Sequence, residues 1–235
     1  MNKLMTPKGR KGRKTTPLPY GRHLVYSEGE KTEPFYIENL KKVIKQNQKD
    51  KWSKIIIEVN PESSGKDPLK LVEFAEKDVE KKRKTIDKID HVWIFYDKDD
   101  FSKDNFDNAY TKIIGKNKNE YKNYDEEYTD ENGTRWHACW SNECFELWVL
   151  LHFCFTDSAL SRKQYIPKIN EYLNPKGLSY SKNLPKLYDI LSEHGNINEA
   201  VRRAKRLDER LENPNVKENP STGVYIFLER FNQFL

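Results

Sequence analysis

The chain has 235 residues, of which 36% are hydrophobic and 34% charged, with a formal net charge of +5. That length can bury a core without staples, and no apolar run reaches the ~18 residues of a membrane span. Three cysteines (Cys139, Cys144 and Cys154) and no apolar leader argue against a secreted disulfide framework, so the expected compartment is the cytoplasm, with no membrane partner. The mild basic excess suits a nucleic-acid partner, although many enzymes of neutral ligands share it.

In chain order, residues 1–20 set Lys3, Lys8, Arg10, Lys11, Arg13 and Lys14 among Gly, Thr and Pro. This reads as a disordered basic arm, either a solvated tail or a segment that touches phosphates. Residues 23–28 form a β-prone run, and 33–47 read as a helix with Pro34 in its first turn, where proline is tolerated. A second strand, 54–59, closes at Asn60-Pro61. Residues 67–83 predict an amphipathic helix, with Leu69, Val72, Ala75 and Val79 at helical spacing. The third strand, 91–96, is the best candidate for deep burial, and a helix over 103–114 follows it. Residues 115–133 carry Gly115, Gly133 and many Asn and read as a loop.

Residues 134–140 are a fourth strand. Ser141-Asn142 can cap a helix over 143–154 that is apolar nearly all round, and such a helix is buried. From 162 onward the pattern is helical, over 162–173, 184–193, 197–211 and 221–234. Strand–helix alternation followed by helices predicts an α/β fold: a small parallel sheet flanked by helices, with a helical C-terminal cap. The expected division is an arm (1–20), an α/β domain (21–160) and a helical extension (161–235) packed on it.

Two strands end abruptly in acid. Tyr26-Ser27 runs into Glu28-Gly29-Glu30, and Phe95-Tyr96 runs into Asp97-Lys98-Asp99-Asp100. Ligands of α/β sheets bind at the carboxyl ends of the strands. Carboxylates gathered there repel one another unless a cation bridges them, and a hard ion such as Mg²⁺ suits oxygen ligands. Glu28, Asp97 and Asp99 are therefore candidate metal ligands, with Glu28 alternatively a general base. In an extended strand end, Asp97 and Asp99 point to the same side. Asp100 is either a further ligand or a helix cap. Glu30 and Glu33 are further candidate acids, Glu33 alternatively favouring the start of its helix, and Lys31 is a candidate phosphate contact or a solvated lysine. Glu146 is a carboxylate on a mostly apolar helix, so it should face either solvent or a functional site. His152 lies six residues on, on a different face, and reads as a core histidine. His137, Cys139, Cys144, His152 and Cys154 lack zinc-finger spacing, and buried free thiols are the expected outcome. Arg202, Arg203 and Arg206 form a basic ridge on one helix, either a solvated face or a phosphate-tracking one.

The segment Glu28-Gly29-Glu30-Lys31-Thr32-Glu33-Pro34-Phe35-Tyr36 resembles the opening motif of the RloB family. The resemblance continues at Trp93-Ile94-Phe95-Tyr96-Asp97-Lys98-Asp99-Asp100-Phe101 and at Ser141-Asn142-Glu143-Cys144-Phe145-Glu146-Leu147-Trp148, and it covers about residues 21–235. It implies a TOPRIM-like core that binds Mg²⁺ (Mn²⁺ as a substitute), with Glu28 as the strand-one glutamate and Asp97 and Asp99 as the DxD pair. It further implies a bacterial antiphage defence effector: a nuclease acting on RNA, such as tRNA, or on DNA, and controlled by an ATPase partner of the RloA or OLD-like kind. Glu143 stands where the family usually has proline, which bears on the shape of that loop and not on the acids. Two other functions stay open. One is a non-catalytic module that binds nucleic acid or an ATPase around a structural metal, and the other is a primase-like nucleotidyl transferase.

Overall fold

The computed structural model describes residues 20–48, 52–120, 128–213 and 215–235. Almost all of the expected basic arm lies outside the described residues. Strands β1 (Gly21–Ser27), β2 (Ile55–Val59), β3 (His91–Asp97) and β6 (Arg135–Asn142), with the two-residue β7 (Ser221–Thr222), form one sheet in the order β2-β1-β3-β6-β7. The first four run parallel, and β7 pairs antiparallel with the end of β6, Ser141 opposite Thr222. A separate antiparallel ribbon joins β4 (Asn119–Glu120) to β5 (Tyr128–Thr129), within the stretch that reads as a loop.

The period-2 alternation of the strands sorts side chains into two layers. Leu24, Tyr26, Val92, Ile94, Tyr96, Trp136, Ala138 and Trp140 pack against helices α2 (Pro68–Lys82) and α3 (Lys103–Ile114). Val25, Ile55, Ile57, Trp93, Phe95 and Cys139 face the other layer. That layer comprises α1 (Thr32–Asn47), α4 (Glu146–Leu151), α5 (Arg162–Leu173), α6 (Leu187–His194), α7 (Ile197–Asp208) and α8 (Val224–Phe231). β3, apolar at nearly every position, is buried along its whole length, as a strand covered on both faces must be. β2 is an edge strand, and Ile56 stays exposed on it. The result is the expected α/β architecture: a mostly parallel sheet flanked by helices, with further helices from the C-terminal part. No helix among the described residues is long and apolar enough to cross a membrane.

Three local differences matter for the site. β6 runs through Asn142, so Ser141 and Asn142 do not cap the next helix. Asn142 instead donates through Nδ2 to the Lys217 carbonyl at 2.6 Å. α4 is shorter than the apolar run, starting at Glu146 with no side-chain cap. The segment expected as helix 221–234 first adds β7 to the sheet, and only then turns into α8.

Candidate functional site

β1 and β3 are adjacent and parallel, so their carboxyl ends sit side by side. Ser27 pairs with Phe95, and the Glu28 N–H continues the ladder to the Phe95 carbonyl at 3.0 Å. Glu28 then folds back over the end of β3, where its Oε2 accepts the Asp97 backbone N–H at 3.0 Å. Asp97, the last residue of β3, in turn accepts the Phe145 N–H through Oδ2 at 3.0 Å. Phe145 precedes the first turn of α4, whose N–H groups have no partner within the helix. Asp97 thereby couples the end of the sheet to the start of α4.

Asp99 reaches the site by a different route from the one the sequence suggests. Its backbone is left-handed, with φ +38°, so it sits in a turn and not in an extended strand end. The Lys98 N–H bonds the Ser141 carbonyl and the Asp99 N–H bonds the Glu143 carbonyl, which pins this turn to the end of β6. Arg162, at the start of α5, holds Asp99 (Nη2 to Oδ2, 3.4 Å) and Asp100 (Nη1 to Oδ2, 3.1 Å). The Asp100 side chain is 92% exposed and does not line the cleft with the other acids.

Glu28, Glu30, Glu33, Asp97, Asp99 and Glu146 line one cleft of about 300 Å³, together with Gly29, Lys31 and Lys182. The six acids come from the end of β1 and the turn that follows it, the start of α1, the end of β3, the turn after it and the start of α4. Glu33 is buried against Gly29, where a Cβ would collide with its carboxylate. Glycine at 29 is therefore what lets Glu33 close on the site. Glu146 is 2% exposed and accepts from the Tyr180 hydroxyl at 3.0 Å, with Lys182 Nζ 3.7 Å from the same oxygen. His152 is buried on another face of this segment, bonded through Nδ1 to the Trp148 carbonyl.

The electrostatics follow from burial and crowding. Burial pushes the Glu28 carboxyl up to about 8, opposed by the Asp97 N–H and reinforced by Asp99 and Glu33. Burial, with Glu146 and Asp99 adding repulsion, raises Glu33 to about 7. Asp97 is held well above the carboxylate range by burial and then by the fields of Glu33, Glu28, Asp99 and Glu146. Burial also raises Asp99, against the pull of Arg162 and Lys182. Without further positive charge, these acids resist ionising together.

Among the described residues, no three His, Cys, Asp or Glu side chains stand as a ready-made metal ligand set. Glu28, Asp97 and Glu146 each already give one oxygen to a backbone or tyrosine donor. One observation fits a cation. Asp99 Oδ1 is buried with no hydrogen-bond partner among the described residues, an arrangement that is costly without a ligand.

The basic ridge is occupied by its own neighbours. Arg202 pairs with Glu199, and Arg203 donates to the Leu151 carbonyl and lies near Glu199. Arg206 stacks over Phe155. Of the candidate phosphate contacts, Lys31 lines the acid cleft. Lys182, Arg162 and Tyr180 were not singled out by the sequence. They sit in polar breaks and at a helix start more than 60 residues beyond the DxD segment, with no local pattern to mark them.

The family model described as RloB-like protein matches residues 23–231 of the chain. No curated protein matches it, and no solved structure does.

Proposed function

From the premise that this chain belongs to the RloB-like protein family, we propose that it is a Mg²⁺-dependent, TOPRIM-type nuclease that hydrolyses RNA or DNA phosphodiesters, acting as an antiphage effector under the control of an ATPase partner. The observation that carries this reading is the convergence of six acids, drawn from several elements, on one cleft at the carboxyl edge of a parallel sheet. Acids placed this way, with Glu28, Glu33, Asp97 and Asp99 raised by burial first and then by neighbouring carboxylates, are poised to bind a divalent cation. Asp97 and Asp99 would hold the ion, with Glu28 beside it as the general base. Once bound, Mg²⁺ supplies polarisation of a phosphoryl oxygen and a lowered pKa for a coordinated water.

The chain's own residues account for the remaining roles. The Asp97 N–H fixes the Glu28 carboxylate at the strand end, where it takes a proton from the attacking water. Arg162 holds the Asp99 turn in place. The Phe145 N–H keeps Asp97 from swinging away from the cleft.

A second reading, a non-catalytic module with a structural ion, is favoured by the same backbone hydrogen bonds, since they would also serve a purely structural cluster. The deciding experiment incubates the protein with labelled single- and double-stranded RNA and DNA in Mg²⁺ or Mn²⁺, with Glu28→Ala and Asp97→Ala alongside. Metal-dependent cleavage that both substitutions abolish is the expected result. Cleavage that survives both overturns the mechanism. Incorporation of labelled nucleotide without cleavage would point to nucleotidyl transfer.

A further inference from the structure

A polyanion entering a cleft lined by six carboxylates is repelled unless the same cleft also carries fixed positive charge. Two lysines line it, Lys31 and Lys182. Lys31 is exposed on the approach to α1. Lys182 sits on a segment anchored on both sides. The Tyr180 backbone N–H donates to Asn170 Oδ1 at 2.6 Å and its carbonyl accepts from Asn170 Nδ2 at 3.2 Å, which ties the segment to α5. Two residues on, the Lys182 carbonyl accepts from Thr32 Oγ1 at 2.5 Å, which ties it to the start of α1.

Close to these anchors, the Tyr180 hydroxyl and the Lys182 ammonium address the same oxygen of Glu146, at 3.0 and 3.7 Å. Glu146 is 2% exposed and the Lys182 side chain 47%. The ammonium thus has one side on a buried carboxylate and the other open to the cleft. When the ammonium turns away, the buried Glu146 oxygen keeps its hydrogen bond from the Tyr180 hydroxyl. An ammonium already held at the cleft by its backbone loses less freedom on meeting a ligand than a mobile lysine would. Arg162, a further cation near the cleft, is engaged by Asp99 and Asp100.

We propose that Lys182 is the phosphate-binding residue of this cleft, resting on Glu146 until a polynucleotide arrives and then turning its ammonium to a phosphate oxygen beside the acids. The identity of the ligand rests on the nuclease reading; the contact itself does not require cleavage.

The test uses the full chain with fluorescent single-stranded RNA and DNA oligonucleotides, Ca²⁺ replacing Mg²⁺ to hold off cleavage, and anisotropy titrations over a range of salt. Lys182→Met should bind about tenfold more weakly. Its plot of log affinity against log salt should flatten by about 0.7, the share of one single-strand phosphate contact. Lys182→Arg, which keeps the charge, should restore most of both. Calorimetry with Mg²⁺ alone should show the Met variant binding the ion at least as tightly as wild type, because a competing charge has gone. Unchanged affinity and slope in the Met variant would reduce Lys182 to an ion-pair partner of Glu146 and overturn the proposal. So would loss of Mg²⁺ binding, which would mark Lys182 as a prop for Glu146. If the Met variant does not fold, Lys182→Gln carries the same comparison. A wild type that binds through Lys182 but never cuts overturns the nuclease reading and leaves the contact standing. A wild type that cuts while the Met variant binds normally overturns the contact alone. A wild type that binds neither oligonucleotide overturns both.

Discussion

The sheet buries titratable groups at both ends, and the two clusters behave differently. At the carboxyl ends of the strands, Glu28, Glu33, Asp97 and Asp99 crowd into a cleft. At the amino ends, His23, His91 and His137 lie side by side on neighbouring strands with Trp93. His91 Nδ1 meets His137 Nε2 at 3.0 Å, the Trp93 indole donates to His23 Nδ1 at 3.1 Å, and Arg230 from α8 meets His91 Nε2 at 2.8 Å. The rings also stack, His137 on Trp93 with centroids 3.6 Å apart. Burial drives His91 and His137, like the four acids, toward their neutral forms. Neutral imidazoles can both donate and accept, so with Trp93 and Arg230 the histidine stack finds partners within the protein and is buried. Carboxylates offer mostly acceptors. The acid cluster therefore draws on backbone N–H groups, a tyrosine and a lysine, and it opens on a cleft. Burial of ionisable groups does not by itself mark a function; unmet demand for positive charge beside a cleft is the better sign.

The two ends of the sheet should respond differently to substitution. The largest expected effect is at the acids: Glu28→Gln should lower metal-dependent cleavage about a hundredfold or more, the range for a lost general base, with the fold intact by circular dichroism. At the other end, His91→Ala should cost about 2–4 kcal/mol by urea unfolding, through a cavity and an unmet hydrogen bond. Its cleavage per folded molecule should match wild type, and a large loss of activity there would dissolve the distinction between the two ends.

Acid titration sharpens the contrast. His91 and His137 are held well below the usual imidazole range, by burial first and then by neighbouring histidines and arginines. The unfolded chain then binds more protons than the folded one. Stability contributed by the stack is complete above about pH 6.5 and falls as pH drops below it. Between pH 7 and pH 5 the urea midpoint of wild type should fall relative to that of a His137→Gln variant. For Glu28 the sign is opposite. Its folded pKa of about 8 lies above the unfolded value, so its contribution is present at low pH and lost as pH rises through about 8. Metal-free Glu28→Gln should therefore gain stability relative to wild type between pH 6 and pH 8. The smallest effect is expected at the ridge: charge reversal at Arg202, which is paired with Glu199, should change oligonucleotide affinity less than threefold, the scale of an exposed pair.

Glu28 and Asp97 were legible because a buried strand that stops in acid leaves that acid at the sheet edge. Glu146 was legible as a carboxylate inside an apolar run. Asp99 was found for an incorrect geometric reason, since a left-handed turn pinned to β6 presents it and strand alternation does not. Asp100 carries the same local pattern and faces solvent and Arg162, which spacing could not reveal. Glu33 was masked by its plausible role at a helix start. Lys182 and Tyr180 were invisible because their meeting with Glu146 depends on how α5 and α1 hold a distant segment. β7 was missed because two residues are too few to show a period.

That short strand has a practical consequence. The Trp140 indole donates to Ser221 Oγ at 3.2 Å, and the ring packs so closely over Gly223 that a Cβ there would strike it. α8 then lays Phe227 against Trp93 and Phe95 in the middle of the sheet. Anyone trimming the protein to a minimal fragment at the end of the α/β alternation would strip the lining from one face of the sheet. For expression or crystallisation, the distal end is an integral wall of the molecule and should stay attached.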